Sequence, residues 1–169
     1  MYNDAQTTWR YTTTFHQTAV IEALRAGSEM LDKTTKSAFE NRARKMAKWL
    51  YENLDEHSPA NINYATTNGL ALALSGKYFH EQKYLDRAKR LIAYAMNHIS
   101  ESGFLYGESK PHDKISDKGC KSVDIGYNVE ESVPALVKYA YEVDEKDLKE
   151  KLVDVVRAHL DFMFPDGGW

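Results

Sequence analysis

Two kinds of helical segment alternate along this chain, and that alternation restricts its fold more than any other feature. Near residues 64–76 the sequence reads Gly69-Leu70-Ala71-Leu72-Ala73-Leu74. A helix apolar on every side must be covered on every side. The segments near 15–31 and 130–143 are similar, with Ala19-Val20-Ile21 and Ala23-Leu24 in one, and Val133-Pro134-Ala135-Leu136-Val137 and Tyr139-Ala140-Tyr141 in the other. The intervening segments are amphipathic. Near 36–56, Phe39, Ala43, Met46, Ala47, Leu50 and Leu54 recur at helical spacing, with Glu40, Arg42, Arg44, Lys45 and Lys48 between them. Near 81–100 the stripe is Leu85, Ala88, Leu91, Ile92, Ala95 and Ile99; near 145–164 it is Leu148, Leu152, Val155, Val156 and Met163. One stripe and one charged face mean one side buried and one in water.

The alternation predicts an inner layer of covered helices and an outer layer of half-covered ones. A repeat of about 65 residues supports this, pairing Asn63 with Asn128, Ala71 with Leu136, Gly103 with Gly168 and Phe104 with Trp169. Each unit reads as inner helix, short turn, outer helix and a Gly-aromatic exit. The fold class is therefore all-α, built of α/α-hairpin repeats, about three helix pairs in a single domain over residues 1–169. A short piece around Gly103-Phe104-Leu105-Tyr106 is the only strand candidate. The outer-to-inner connections are the long ones: Ser58 to Asn63, and Ser102 to about Tyr127. Long loops on one end of a packed scaffold are where function concentrates.

Composition removes several classes of function. With 22 basic and 25 acidic residues the net charge is -3, so there is no basic excess to neutralise a nucleic-acid backbone. No stretch approaches the roughly 20 apolar residues of a membrane span. The first residues, Met1-Tyr2-Asn3-Asp4-Ala5-Gln6, lack the basic-then-apolar pattern of a signal peptide, so the expected location is cytoplasmic unless a leader is missing. The one cysteine, Cys120, excludes a disulfide framework and a cysteine zinc site. His112, Asp113, Asp117 and Asp124 match no metal-ligand template. No metal or cofactor is expected.

The segment Asp124-Ile125-Gly126-Tyr127-Asn128-Val129-Glu130-Glu131-Ser132, its following apolar helix and Pro165-Asp166-Gly167-Gly168-Trp169 resemble the (α/α) toroid of heparinase II/III-like polysaccharide lyases. Similar Asp-Gly-Gly-Trp endings occur in pectate lyases, unsaturated glucuronyl hydrolases and terpene cyclases; the glutamine expected in the terpene-cyclase repeat is missing from Leu160-Asp161-Phe162-Met163-Phe164. The resemblance implies part of a toroid, from a fragment or short relative of a longer enzyme. It also implies β-elimination on an acidic, uronic-acid glycan, a carbon–oxygen lyase activity if the chain is active. The alternatives are a glycoside hydrolase acting on unsaturated uronides and a non-catalytic helical-repeat module. An arc of three pairs leaves apolar flanks, which predicts a homodimer or a chain continuing into further helices.

Elimination needs the substrate carboxylate neutralised, a base for the proton α to it and an acid for the leaving oxygen. If the inner helices open on one mouth, Asn63, Asn68 or Asn128 neutralises, and Tyr64, Tyr127 or His16 transfers protons. Glu130 and Glu131 bind substrate alongside, with Phe104 and Trp169 stacking on sugar faces. Each residue also has a plain structural reading. Asn128 with Glu131 is a capping box, and Pro134 puts the start of that helix nearer Glu131 or Ser132. Asn63 and Asn68 suit loops or caps, Tyr64 and Tyr127 suit a core, and His16 suits a helix start. Trp169 suits packing. His98 and His159 belong to outer helices and read as structural. Glu130 and Glu131 point about 100° apart and cannot both flank one bond.

The two-layer pattern yields a first test. Leu72→Asp, in the all-apolar segment, should abolish folding because a lone buried charge costs several kcal/mol. Lys89→Asp, on an outer face, should change stability by less than about 0.5 kcal/mol. Equal tolerance in thermal melts would refute the layering.

Overall fold

In the computed structural model, which describes residues 12–57, 61–108 and 115–168, six helices follow one another. They are α1 (Thr12–Gly27), α2 (Lys33–Asn53), α3 (Ile62–Phe79), α4 (Gln82–Met96), α5 and α6 (Lys146–Leu160). A single 3-10 turn, Ser28–Met30, follows α1. Helix α5 is continuous but composite: an α turn at Ile125–Tyr127, a π segment at Asn128–Ser132 and an α segment at Val133–Val143. Among the described residues there is no strand. The expected one near Leu105 is an isolated bridge to Ile99, and a second bridge joins Ile115 to Lys121.

Helix α3 is the centre. Every residue from Ala65 to Gly76 is buried, because α1, α2, α4 and α5 all pack against it. The expectation that the first and fifth helices are equally enclosed does not hold. In α1 the buried side is Thr14, Gln17, Ile21 and Leu24, while Ala19 and Ala23 are exposed. In α5, Tyr141 is 70% exposed. Both flank α3 and so have a covered and an open side. The outer helices bury the expected stripes, Ala43, Ala47 and Leu50 in α2 and Ala88, Leu91, Ile92 and Ala95 in α4. Phe39 and Met163 are exceptions, both more than two-fifths exposed. Each lies toward an end of its expected segment, and Met163 falls beyond the last residue of α6.

The repeat is real, but its register differs from the expected 65. The N-caps Asn61 and Asp124 are 63 residues apart. The left-handed C-cap residues His80 and Asp144, at φ 57° and 55°, are 64 apart. Helix α3 holds 18 residues between its caps, so α5 carries one more. The π turn absorbs it: the Val133 N–H reaches back five residues to the Asn128 carbonyl. Pro134 gives the reason. It has no N–H to donate, and its ring collides with the carbonyl four residues earlier in a regular α-helix. A widened turn directly before it relieves that collision. The helix therefore starts at Ile125, not at Glu131 or Ser132.

Beyond the π turn the offset stays at 64. Gly103 and Gly167 both take positive φ, 86° and 87°, and their amides donate to Ser100 and Phe164. Gly103 therefore corresponds to Gly167, and Phe104 to Gly168. The expected pairing of Phe104 with Trp169 is displaced by one residue; Trp169 itself lies outside the described residues.

Two further contacts fix the geometry around α3. The C-terminal ends of α1, α3 and α5 converge on Glu142, which pairs with Arg25 at 2.8 Å and Lys77 at 3.4 Å. Gly76 lets α4 approach, since a Cβ there would lie 2.7 Å from Leu85 Cγ and 3.1 Å from the Leu85 backbone nitrogen. A Cβ on Gly69 would meet only the Ile92 side chain within 3 Å, at 2.7 Å from its tip. Gly76→Ala should therefore lose about 1–3 kcal/mol by overpacking, read by denaturant unfolding. Gly69→Ala should stay within about 1 kcal/mol, because Ile92 can turn aside and alanine favours the helix. The reverse order would show that α4 is not held where Gly76 places it.

Candidate functional site

Helices α3 and α5 begin with the same short pattern: cap, isoleucine, small residue, tyrosine. It reads Asn61-Ile62-Asn63-Tyr64 in one and Asp124-Ile125-Gly126-Tyr127 in the other. The Asp124 side chain accepts from the Tyr127 amide at 3.1 Å, so Asp124 caps α5 and the expected Asn128–Glu131 capping box does not form. Equivalent positions on adjacent helices place Tyr64 and Tyr127 at one end of the molecule. They are close enough for Tyr127 to help raise the pKa of the Tyr64 hydroxyl.

Glu131 and Asn63 join them. Asn63 Nδ2 donates to Glu131 Oε2 at 2.6 Å, a charge-assisted bond that ties the start of α3 to the π turn of α5. Asn63 is 2% exposed, and its Oδ1 has no hydrogen-bond partner among the described residues. The Tyr64 hydroxyl titrates above the usual tyrosine range, first through burial, then through Tyr127, Glu131 and Glu108. It is a proton donor at neutral pH.

Glu108 was not singled out by sequence reasoning. It lies in the long connection between α4 and α5, which is folded against the start of α3. Ile62 donates its amide to Gly107 at 3.3 Å, and the Gly107 and Glu108 amides both face the Ser122 carbonyl, at 2.8 and 3.4 Å. Ser122 Oγ returns a hydrogen bond to the Glu108 carbonyl. The Glu108 side chain is buried, and neither carboxyl oxygen has a hydrogen-bond partner among the described residues. Burial pushes its pKa up to about 7; the charges of Asp124 and Glu131 add to this. The Asn63 backbone amide opposes the shift, but it stops short of a full hydrogen bond. A sequence signal did exist: a carboxylate in the longest loop, four residues after Phe104 of the Gly-aromatic exit.

The other expected site residues are placed elsewhere. Asn128 is fully enclosed, and its amide donates to the Leu105 carbonyl at 2.9 Å and to His159 Nε2 at 3.1 Å. His159 Nδ1 donates to the Val155 carbonyl at 2.7 Å, which leaves Nε2 to accept from Asn128. This pair fastens the loop at Leu105 to α5 and α6. Phe104 packs edge-on against His159 and Phe162, with ring centroids 5.1 and 5.5 Å away. Asn68 turns toward α2, with its amide 3.4 Å from the Leu54 carbonyl. Glu130 is exposed, while Glu131 is half-buried. His16 is exposed too, and it does not join the cluster. Its neighbour Gln17 is anchored to Ser75 at 2.8 Å, which is about 18 Å of helix rise from Asn63. The Cys120 thiol is exposed and free. No group of three metal-ligating side chains occurs among the described residues. His112 and Asp113 lie outside them, and no described helix is long and apolar enough to cross a membrane.

A family model described as the ulvan lyase N-terminal domain matches residues 1–169. A broad-specificity ulvan lyase of Formosa agariphila is 34% identical over 163 residues, 95% of this chain. The chain spans about a quarter of that relative, 25% of its length. No solved structure matches.

The raised pKa of Glu108 has a consequence for stability. Below the ordinary value of 4.5 both folded and unfolded forms are protonated. Between 4.5 and about 7 only the unfolded carboxyl ionises, so stability falls as pH rises; above about 7 the loss is complete. Solvent screening at the mouth limits the loss to about 1–2 kcal/mol. Glu108→Gln should therefore be more stable than the parent above neutrality and equal to it near pH 4, measured by denaturant unfolding across pH. A parent without this decline would show that Glu108 is not held in its neutral form.

Proposed function

The chain belongs to the family of ulvan lyase N-terminal domains, and from that premise we propose that it is the helical part of a polysaccharide lyase that cleaves an acidic glycan by β-elimination. The observation that carries the reading is the pairing of Tyr64 and Tyr127 across the Asn63–Glu131 bond. In the reaction the proton α to a uronate carboxylate is removed. Its electron pair becomes a carbon–carbon double bond, and the glycosidic oxygen departs with a proton.

The residues divide these tasks by their protonation. Asn63 keeps one amide N–H beyond the bond to Glu131, and it donates to the substrate carboxylate as charge moves onto it. Tyr64, whose hydroxyl keeps its proton at neutral pH, supplies the leaving oxygen. Tyr127, 42% exposed, is open to the incoming sugar and, as the phenolate after its own proton has passed to solvent, takes the proton α to the carboxylate. Asn128 and His159 act by holding Leu105, and with it the loop that carries Glu108. The family model and the relative support an ulvan lyase kinship, and the heparinase II/III-like resemblance carries no part of this reading.

A second reading draws on one feature. A buried carboxyl group, Glu108, near a second, less buried one, Glu131, is a pairing that a hydrolase of unsaturated uronides could use as acid and base. The two reactions have opposite spectroscopic signs. A lyase generates ultraviolet absorbance from an intact acidic polymer, and a hydrolase consumes it.

The test uses the whole protein carrying this domain, with ulvan as the first substrate. Absorbance should rise with time, and Tyr64→Phe should lower kcat by about 10²–10⁴-fold with its melting temperature retained. A falling absorbance with unsaturated oligosaccharides would establish the hydrolase instead. Binding without any spectral change would leave a non-catalytic module. Full activity in Tyr64→Phe would remove the tyrosine from the reaction.

A further inference from the structure

Within the cluster at the starts of α3 and α5, one buried group has no task in the elimination just described. Glu108 is 4% exposed, and neither of its carboxyl oxygens is hydrogen-bonded among the described residues. Its backbone, by contrast, is clamped on both sides, through Gly107 to Ile62 at the head of α3 and through Ser122. Unsatisfied buried carboxylates are expensive, so a clamp that keeps one in place needs an explanation.

The groups around it supply one. From α3 come Tyr64 and the Asn63 backbone amide. From α5 come Glu131 and, at its cap, Asp124. Tyr127 reaches the same cluster through Tyr64. On the adjoining loop, Lys121 is occupied over the Tyr106 ring, 3.8 Å from its centroid. Two carboxylates therefore face Glu108, and among the described residues no cation is one of the groups that shift its titration. An anionic sugar meets a mouth whose net charge depends on whether Glu108 holds its proton.

We propose that Glu108 is a positioning residue whose charge governs this mouth: protonated, it lets an anionic sugar unit settle against Asn63 and Tyr64; ionised, it repels that sugar and holds the Tyr64 phenol more firmly in its protonated form. The inference rests on the lyase reading for its substrate. Its physical basis is the burial of Glu108 and the company it keeps. The titration of Glu108 near pH 7 sets where the change occurs. It acts through Tyr64 and through the field at the mouth, so its removal changes pH dependence more than it changes chemistry.

Two measurements on the whole protein decide the matter. First, KM for ulvan is followed from about pH 6 to about pH 8. In the parent it should rise roughly 3- to 15-fold, the effect of one added negative charge at partly screened range. In Glu108→Gln it should stay flat, with kcat at the acid end little changed. A flat parent profile, or a rise retained in the variant, would overturn the proposal. Second, the ionisation of Tyr64 is isolated as the difference in tyrosinate absorbance between a protein and its Tyr64→Phe derivative. In the Glu108→Gln background that step should move to lower pH. An unmoved step overturns the proposal even if no acidic glycan is turned over. A moved step without turnover upholds the coupling of Glu108 to Tyr64 and discards the lyase reading alone.

Discussion

The enclosure of α3 is the constraint on which the rest of this structure depends. A helix with no wet side can exist only if neighbours arrive from every direction, and four of them do. The sequence of α3 provides the means: alanines and glycines where backbones come close, leucines where gaps must be filled. Dispersion and apolar burial do most of the stabilising. The ion pairs at Glu142 are partly exposed and contribute little each. They do fix the ends of three helices at one level, and the loops and tyrosines gather away from it.

The π turn in α5 connects that packing to the site. An extra residue between matched caps must go somewhere, and the widened turn before Pro134 takes it. After the turn, α5 resumes the register that seats Leu136, Tyr139 and Ala140 against α3. Before it, the helix keeps the spacing that sets Tyr127 in the position Tyr64 holds in α3. Glu131, inside the turn, meets Asn63. One inserted residue thus serves two registers, one for packing and one for the mouth. π turns occur often at functional positions for this kind of reason.

The mouth itself is unusual for its charge. Asn63 supplies an amide and Tyr64 a retained proton, while Asp124, Glu131 and Glu108 are acidic. On the proposed reading, approach of an anionic sugar gains from fewer ionised carboxylates. Burial of Glu108 under the clamped loop achieves this without removing the side chain. The buried pair Asn128–His159 is its mechanical foundation: it holds Leu105, and the loop continues from there to Glu108.

The sequence by itself determined the class of the fold and its layering. Helical periodicity and the all-apolar run at Gly69–Leu74 report solvent exposure directly, and exposure is what separates inner from outer helices. It also marked Asn63, Tyr64, Tyr127 and Glu131, because helix starts next to long connections are identifiable from capping and turn residues. It left Glu108 unmarked, and it misread Asn128 as a cap, for one physical reason. The partners of these residues are 14 residues or more distant in the chain, as Ser122 is from Glu108 and Leu105 is from Asn128. Local pattern carries no information about which distant carbonyl an amide will meet. Only the tertiary structure decided the one-residue shift at the π turn, the folding of the loop over α3 and the burial that raises the pKa of Glu108. Each depends on how completely water is excluded where separate segments meet.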